Sequence, residues 1–237
     1  MRMRRECAPP GIRAAIFDMD GTLVNSEDVY WDADCAFLDR YGIPHDDALR
    51  EYMIGRGTKG FIEWMRTQKE IPRSDEELAR EKIGLFLEHA RGRVQVFPEM
   101  RRLLGLFEEA GMSCALASGS PRRVIEVLLE ETGLVGFFRV VVSADEVARP
   151  KPAPDVFLEA AGRLGVEPGG CVVFEDSEPG VQAALDAGMV CVAIPTLVKD
   201  RYPEVFYQAD VLFEGGMGEF CAERVWEWLG CGVGVRR

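Results

Sequence analysis

The chain has 237 residues, of which 47% are hydrophobic and 29% charged, and it carries a formal net charge of −12 at pH 7. This composition is typical of a globular protein, and the negative charge disfavours general binding to nucleic acids or to anionic membranes. No apolar run approaches the roughly 20 residues of a membrane-spanning helix, and no apolar segment of a secretion signal follows the N-terminal arginines. Seven scattered cysteines without a C-x-x-C pair indicate a reducing compartment, so we expect a cytoplasmic protein, and the two distant histidines nearly exclude a histidine-based metal or triad site.

The first part of the chain predicts one short strand and then only helices. Residues 1–11 are expected to be a frayed lead-in, and residues 12–17 are predicted to be the first strand, because they hold a short apolar run. Ser26 is predicted to cap a helix over residues 27–41, because a serine side chain at this position accepts a hydrogen bond from the first turn. The helical pattern then continues in three further segments, near 46–53, 58–70 and 74–90.

Strands and helices alternate in the second part of the chain. Strands are predicted at 113–117, 139–142, 171–174, 190–194 and 211–213, and helices at 98–111, 120–133, 154–164, 177–187 and 216–229, with the last eight residues loose. This alternation predicts an α/β fold in which a parallel sheet has helices on both faces. Because no strand candidate lies between Val24 and Val94, we expect residues 25–94 to form an all-helical domain inserted into a core made of 1–24 and 95–237.

Polar groups follow four of the predicted strands, at the point where each strand ends or shortly after it. In chain order they are Asp18 and Asp20, then Ser118, Gly119 and Ser120, then Lys151, and finally Glu175 and Asp176. Ligands of open parallel sheets bind beyond the carboxyl ends of the strands. We therefore expect these groups to share one site.

The residue types at this expected site fit phosphoryl transfer. Asp18 and Asp20 lie two residues apart, and such close carboxylates repel each other unless a cation such as Mg²⁺ or a shared proton compensates. A carboxylate is a competent nucleophile, and a second one can act as acid and then as base. A serine hydroxyl and backbone amides at a helix N-terminus bind phosphate, while a lysine neutralises charge on the transferring group. Each motif alone also fits an ordinary turn, helix cap or solvated side chain, whereas the combination favours chemistry.

Together these motifs resemble those of the haloacid dehalogenase superfamily. The segments that carry the resemblance are 17–27, Ser118-Gly119, Lys151-Pro152 and 174–177, and it extends over about residues 12–228. The chain looks most like the subgroup with a helical cap inserted after the first motif, which holds sugar-phosphate phosphatases, phosphoglycolate phosphatases and β-phosphoglucomutase. The resemblance implies a Rossmann-like core, an aspartyl-phosphate intermediate and Mg²⁺.

The resemblance also implies roles for the core residues. Asp18 would be the nucleophile and a metal ligand, and Asp20 the acid and base that also lends its backbone carbonyl to the metal. Ser118 and Lys151 would hold the phosphoryl group. The remaining metal ligands would be Asp176 and, directly or through water, Glu175. Dehalogenases of the superfamily lack the second aspartate, so Asp20 favours phosphate esters as substrates.

Substrate contacts are expected from two places. Gly119 and Ser120 are expected to bind the phosphate, and the cap loop at 53–60 falls where this subgroup places substrate-recognising residues. In that loop Arg56 or Lys59 is predicted to hold the leaving group, the alternative being a solvated interhelical turn.

The predicted function is Mg²⁺-dependent hydrolysis of the phosphate monoester of a small metabolite, with a sugar phosphate as the leading class. A phosphomutase is an alternative, although β-phosphoglucomutase carries a histidine where Tyr30 stands here. A non-catalytic phosphometabolite sensor is a further alternative, which the intact acids oppose because a sensor needs no nucleophile. No nucleic acid, membrane or obligate protein partner is implied.

Overall fold

The computed structural model describes residues 1–54 and 56–230, and within them the chain forms a seven-stranded sheet. The strands are β1 (Arg2–Met3), β2 (Ala14–Phe17), β3 (Ser113–Ser118), β4 (Val140–Ser143), β5 (Cys171–Glu175), β6 (Val190–Ala193) and β7 (Val211–Leu212). Their order across the sheet is β1-β7-β6-β5-β2-β3-β4, and every neighbouring pair is parallel except β1 with β7. The predicted α/β fold with a Rossmann-like parallel sheet is confirmed.

The helices lie close to the predicted segments. They are α1 (Glu27–Tyr41), α2 (Asp47–Met53), α3 (Gly57–Gln68), α4 (Asp75–Ala90), α5 (Pro98–Glu109), α6 (Arg122–Glu131), α7 (Asp155–Leu164), α8 (Glu178–Asp186) and α9 (Ala222–Gly230). The last helix starts later than predicted, since Gly216–Gly218 forms a separate 3₁₀ turn. Among the described residues, no helix combines the length and apolarity needed to cross a membrane. Of the eight C-terminal residues predicted to be loose, the first, Gly230, ends α9, and residues 231–237 lie outside the described residues, as does residue 55.

Strand β2 lies at the centre of the sheet and is buried on both faces. Ala15 and Phe17 belong to the hydrophobic cluster on one face, and Ala14 and Ile16 belong to the cluster on the other. This alternation follows from the two-residue period of a strand. A strand covered on both sides reads as a continuous apolar run, which is why the sequence signal for β2 is strong.

Helices α1–α4 lie between β2 and β3 in sequence, but these two strands are neighbours in the sheet. The four helices are therefore an insertion into the core and form the predicted helical cap domain. The two connections to the core run side by side, with Asn25 N donating to Gln95 O at 3.0 Å and Gln95 N donating to Asn25 Oδ1 at 2.7 Å. An exposed ion pair also joins cap and core, with Lys199 Nζ 3.1 Å from Glu51 Oε2. The bounds 25–94 of the cap stay a prediction.

The expectation of a frayed N-terminus was wrong. Strand β1 pairs antiparallel with β7, and the N-terminal ammonium of Met1 forms an ion pair with Glu219. Ala8 is buried, and its N–H donates to Trp228 O at 3.0 Å. A two-residue strand has no periodicity to detect, and its partners lie at the other end of the chain.

Candidate active site

The carboxyl ends of β2, β3 and β5 meet at one edge of the sheet because β2 pairs with both other strands. The chain runs from β2 through β3 to β4 on one side, and then crosses to β5 on the other. The crevice at such a reversal is where open parallel sheets bind ligands. Asp18 leaves β2 at this point, and its backbone N–H donates to Phe174 O at 3.0 Å.

Lys151 bridges two buried carboxylates at this edge. Its Nζ lies 2.5 Å from Asp18 Oδ1 and 2.7 Å from Glu175 Oε2. Burial alone lowers the pKa of Lys151, but the two carboxylates outweigh this effect and raise it, so the ammonium stays charged. Burial raises the pKa of Asp18 well above its usual value, the charge of Glu175 raises it further, and Lys151 opposes both. The ammonium therefore compensates only part of the negative charge.

Asp176 adds a third carboxylate to this cluster. Carboxylate oxygens of Asp18, Glu175 and Asp176 all lie within 4.8 Å of one another. Thr22 Oγ1 donates to Asp176 Oδ1 at 3.1 Å, and the Thr196 hydroxyl donates to Oδ2. Burial and then the charges of Glu175 and Asp18 raise the pKa of Asp176 well above its usual value. Clustered, under-compensated carboxylate oxygens are the hard donors that Mg²⁺ prefers, so the donor set fits this ion.

Two glycines leave room for these acids. Gly21 adopts a φ of +77°, and a Cβ there would overlap the carboxylate of Asp176 and the Thr196 hydroxyl. Gly180, in the first turn of α8, has no such φ, but a Cβ would overlap the carboxylate of Glu175. The positions of Glu175 and Asp176 therefore depend on the absence of two methyl groups.

Gly180→Ala is expected to lower catalytic activity by roughly 10- to 100-fold, the usual cost of losing an outer partner of a functional group. The new methyl group must displace the Glu175 carboxylate, which then loses its contact with Lys151. Steady-state kinetics and thermal unfolding would be compared with those of Gly105→Ala, where a helical glycine has nothing within 4 Å of its missing Cβ. Full activity of Gly180→Ala would show that Glu175 can move without consequence.

Asp20 is held by two hydroxyl groups. Ser26 Oγ donates to Asp20 Oδ1 and Ser120 Oγ donates to Asp20 Oδ2, each at 2.6 Å. Burial raises the pKa of Asp20, and the two hydrogen bonds oppose this effect. The prediction that Ser26 caps α1 through its side chain was therefore wrong: Ser26 occupies the N-cap position, but its hydroxyl serves Asp20 instead of the helix.

Ser118 is the last residue of β3, and Gly119 and Ser120 begin the turn that leads to α6. Ser118 is buried, and its Oγ accepts a hydrogen bond from Ser120 N at 3.0 Å, which leaves the hydroxyl hydrogen available to a ligand. Gly119 is exposed, and a Cβ there would meet nothing within 4 Å. This segment thus presents a hydroxyl hydrogen and an open stretch of backbone beside the carboxylates.

A profile of haloacid dehalogenase-like hydrolases matches residues 12–188. The chain belongs to this family. It is 35% identical over 182 residues to fructose-1-phosphate phosphatase YqaB of Escherichia coli K12, covering 77% of this chain and 96% of that one. It is also 35% identical over 188 residues to the bifunctional riboflavin kinase/FMN phosphatase of Arabidopsis thaliana, with 79% of this chain matched, but it spans only 49% of that protein. The crystal structure of CbbY from Rhodobacter sphaeroides in complex with phosphate superposes with a TM-score of 0.78 at 27% identity, covering 88% of this chain and 96% of that one.

The two predicted cap contacts of this family member make no contact with the carboxylate cluster of the core. Arg56 directly precedes α3, where its guanidinium lies 3.8 Å from the centre of the Tyr52 ring and its Nε donates to Tyr52 O at 2.6 Å. Lys59 is exposed on α3, with its Nζ 3.9 Å from Glu63 Oε1. In residues 1–54 and 56–230, neither cation has a hydrogen bond or ion pair to the core. Their role in substrate binding stays a prediction.

Sequence reasoning assigned no site role to several polar residues that lie at the site of this family member, among them Thr196 and Tyr30. Thr196 follows β6 at the same edge of the sheet, so the strand-end rule that found the acids would have included it. Tyr30 belongs to α1 in the cap, and its hydroxyl lies 2.9 Å from Ser120 Oγ. No local pattern signals this contact, because it joins residues 90 positions apart.

Proposed function

We propose that this chain is a cytoplasmic, Mg²⁺-dependent phosphatase that hydrolyses the phosphate monoester of a small metabolite, a sugar phosphate or a similar compound. The observation that carries the proposal is the cluster of Asp18, Glu175 and Asp176, of which Asp18 and Glu175 contact Lys151. Asp20 is oriented by two hydroxyls beside this cluster. The names of the relatives support a phosphate ester as substrate, since YqaB is a fructose-1-phosphate phosphatase.

In this proposal Asp18 attacks phosphorus and forms an aspartyl-phosphate. Lys151 contacts Oδ1 of Asp18 and so leaves Oδ2 for the attack, while its charge offsets the charge of the transferring group. Ser118 donates its hydroxyl hydrogen to a phosphoryl oxygen, and the backbone of Gly119 and Ser120 lies alongside. Positioning and electrostatic stabilisation are what phosphoryl transfer requires of a protein.

Asp20 is the general acid and base of the proposed reaction. As an acid it donates to the oxygen of the leaving group, and as a base it then accepts a proton from the water that hydrolyses the aspartyl-phosphate. Burial raises the pKa of Asp20, which increases the fraction that carries a proton when the ester binds.

Mg²⁺ would be held by the carboxylates of Asp18 and Asp176 and by the backbone carbonyl of Asp20, and when bound it would supply positive charge to the phosphoryl oxygens. Glu175 is better suited to contact Mg²⁺ through a water molecule than to bind the ion directly, because both of its carboxylate oxygens already accept hydrogen bonds. Its Oε1 accepts hydrogen bonds from Asp176 N and from the N–H and hydroxyl of Ser177, and its Oε2 accepts from Lys151.

The test is a screen of the purified protein for inorganic phosphate released from a panel of phosphorylated metabolites in the presence of Mg²⁺. We expect turnover of at least one sugar phosphate. Conversion to an isomer without phosphate release would instead identify a phosphomutase, which Tyr30 disfavours because β-phosphoglucomutase has a histidine there. Binding of esters without any turnover would identify a sensor.

We also propose that the cap comprises residues 25–94, that the core comprises 1–24 and 95–237, and that the cap recognises the leaving group. Arg56→Ala should then raise KM for the metabolite identified in the screen. The substitution removes the guanidinium hydrogen-bond donors that would bind a hydroxyl or an anionic group of the substrate. Turnover of 4-nitrophenyl phosphate should be unchanged, because the machinery of the core is intact. Lys59→Ala is the matched variant, since both cations are exposed on the same part of the cap. If neither variant alters KM, these side chains are solvated and other cap residues set specificity.

A further inference from the structure

Tyr30 reaches from the cap to the catalytic edge of the core. Its ring stacks on Phe86 of α4, with ring centres 3.7 Å apart and planes inclined by 13°. Its hydroxyl lies 2.9 Å from Ser120 Oγ in the turn after β3. Since the ring is fixed by packing within the cap, the position of the hydroxyl reports the position of the cap.

Ser120 links Tyr30 to Asp20. Its backbone is held at both ends, since its N–H donates to Ser118 Oγ at 3.0 Å and its carbonyl accepts from Ser143 Oγ at 2.8 Å. Only the hydroxyl can reorient. That hydroxyl donates to Asp20 Oδ2, so its oxygen is left to accept from Tyr30.

The Tyr30 hydroxyl is suited to this contact. Burial, followed by the charge of Asp20, raises the pKa of Tyr30 well above its usual value, so the phenol stays neutral. A neutral phenol can donate a hydrogen bond to Ser120 as well as accept one. Without it, the Ser120 hydroxyl would have a partner on one side only.

We propose that Tyr30 is a positioning residue for Asp20, acting from the cap through Ser120, so that Asp20 is fully aligned for proton transfer only when the cap lies on the core. This inference deepens the proposed function and rests on it. Asp20 has a second hydroxyl partner, Ser26 at the start of α1, which holds one carboxylate oxygen and leaves the other without a partner. Alignment of both oxygens requires Ser120, and the orientation of Ser120 requires Tyr30.

The first test compares Tyr30→Phe with Tyr41→Phe. Both remove a tyrosine hydroxyl from α1, but the Tyr41 hydroxyl donates to Glu81 within the cap at 2.9 Å. For an alkyl phosphate, whose leaving group needs a proton, Tyr30→Phe should lower kcat/KM by roughly 10-fold, part of the usual worth of general acid catalysis. For 4-nitrophenyl phosphate, whose leaving group departs unprotonated, kcat/KM should change by less than about twofold. The loss for the alkyl ester should lie in kcat, with KM nearly unchanged.

The second test is a double-mutant cycle with Ser120→Ala. If Tyr30 acts only through Ser120, Tyr30→Phe should have no further effect in the Ser120→Ala protein, because coupled residues are not additive. Thermal unfolding of each variant checks that the fold is retained. Multiplying effects, an equal loss for both esters, or a Tyr30→Phe protein that matches Tyr41→Phe would each overturn the inference. If the wild-type protein releases no phosphate from any ester, the proposed function itself fails, and the inference fails with it.

Discussion

Asp18→Asn is expected to lower phosphate release by at least ~10³-fold, the scale on which enzymes lose activity when a nucleophile is removed. The amide matches the carboxylate in shape but cannot attack phosphorus, and it offers the metal only one neutral oxygen. The ion pair with Lys151 is also lost. The thermal midpoint should not fall much, because burial already disfavours the charged form of Asp18, as its raised pKa shows. Active-site charges are commonly retained at a cost in stability.

The measurement is steady-state phosphate release from the metabolite identified in the screen, together with intact-protein mass after acid quenching. The wild-type protein should gain the mass of one phosphoryl group during turnover, and Asp18→Asn should not. Asp200→Asn is the matched control, since it makes the same substitution on an exposed loop of the core. More than a tenth of the wild-type rate in Asp18→Asn would rule out an aspartyl-phosphate mechanism.

Chelation by EDTA is expected to abolish activity, and added Mg²⁺ to restore it. Four acids crowd the site against the single ammonium of Lys151: Asp18, Asp20, Glu175 and Asp176. The pKa values of Asp18 and Asp176 are raised largely by burial and by this mutual repulsion. A divalent cation relieves the repulsion, so Mg²⁺ should raise the thermal midpoint, as any ligand does that binds only the folded state.

Asp176→Asn separates this effect from general salt screening. It removes a proposed ligand, so the Mg²⁺-dependent rise in the thermal midpoint should shrink or disappear. In Asp200→Asn, which changes an exposed acid outside the cluster, the rise should persist. Full turnover in excess chelator, or an equal midpoint rise in Asp176→Asn and wild type, would contradict a metal site at these residues.

The placement of the core groups could be predicted because it depends on topology and not on side-chain detail. The carboxyl ends of parallel strands share one edge, so the ends of β2, β3 and β5 determine where Asp18, Ser118 and Glu175 lie. The presence of a helical cap could also be predicted from the sequence, because a long stretch without strand candidates interrupts an α/β pattern. The catalytic roles of these residues and the bounds of the cap stay predictions.

Other contacts could not be predicted because they depend on competition between partners. The rule that assigns serine to a helix cap is local, and at Ser26 a nearby carboxylate from Asp20 takes the hydroxyl. Hydrogen bonds to a charged acceptor are stronger than those to a neutral one. Similarly, Arg56 packs on the ring of Tyr52, four residues earlier in the chain, and the sequence alone does not distinguish this from an arginine that faces the substrate. The contact of Tyr30 with Ser120 requires knowledge of how the cap lies on the core.

Strand β1 bears on the handling of this protein in the laboratory. It covers the outer side of β7, whose backbone N–H and C=O groups would otherwise be a template for pairing with another molecule. Its own attachment includes the terminal ammonium of Met1 and the indole of Trp228, which donates to Arg5 O at 3.1 Å. An affinity tag fused before Met1 would remove that ammonium and attach additional chain to β1, the strand that covers the sheet edge. Both changes would weaken the pairing of β1 with β7. Preparations tagged at this end are therefore the ones to watch for aggregation.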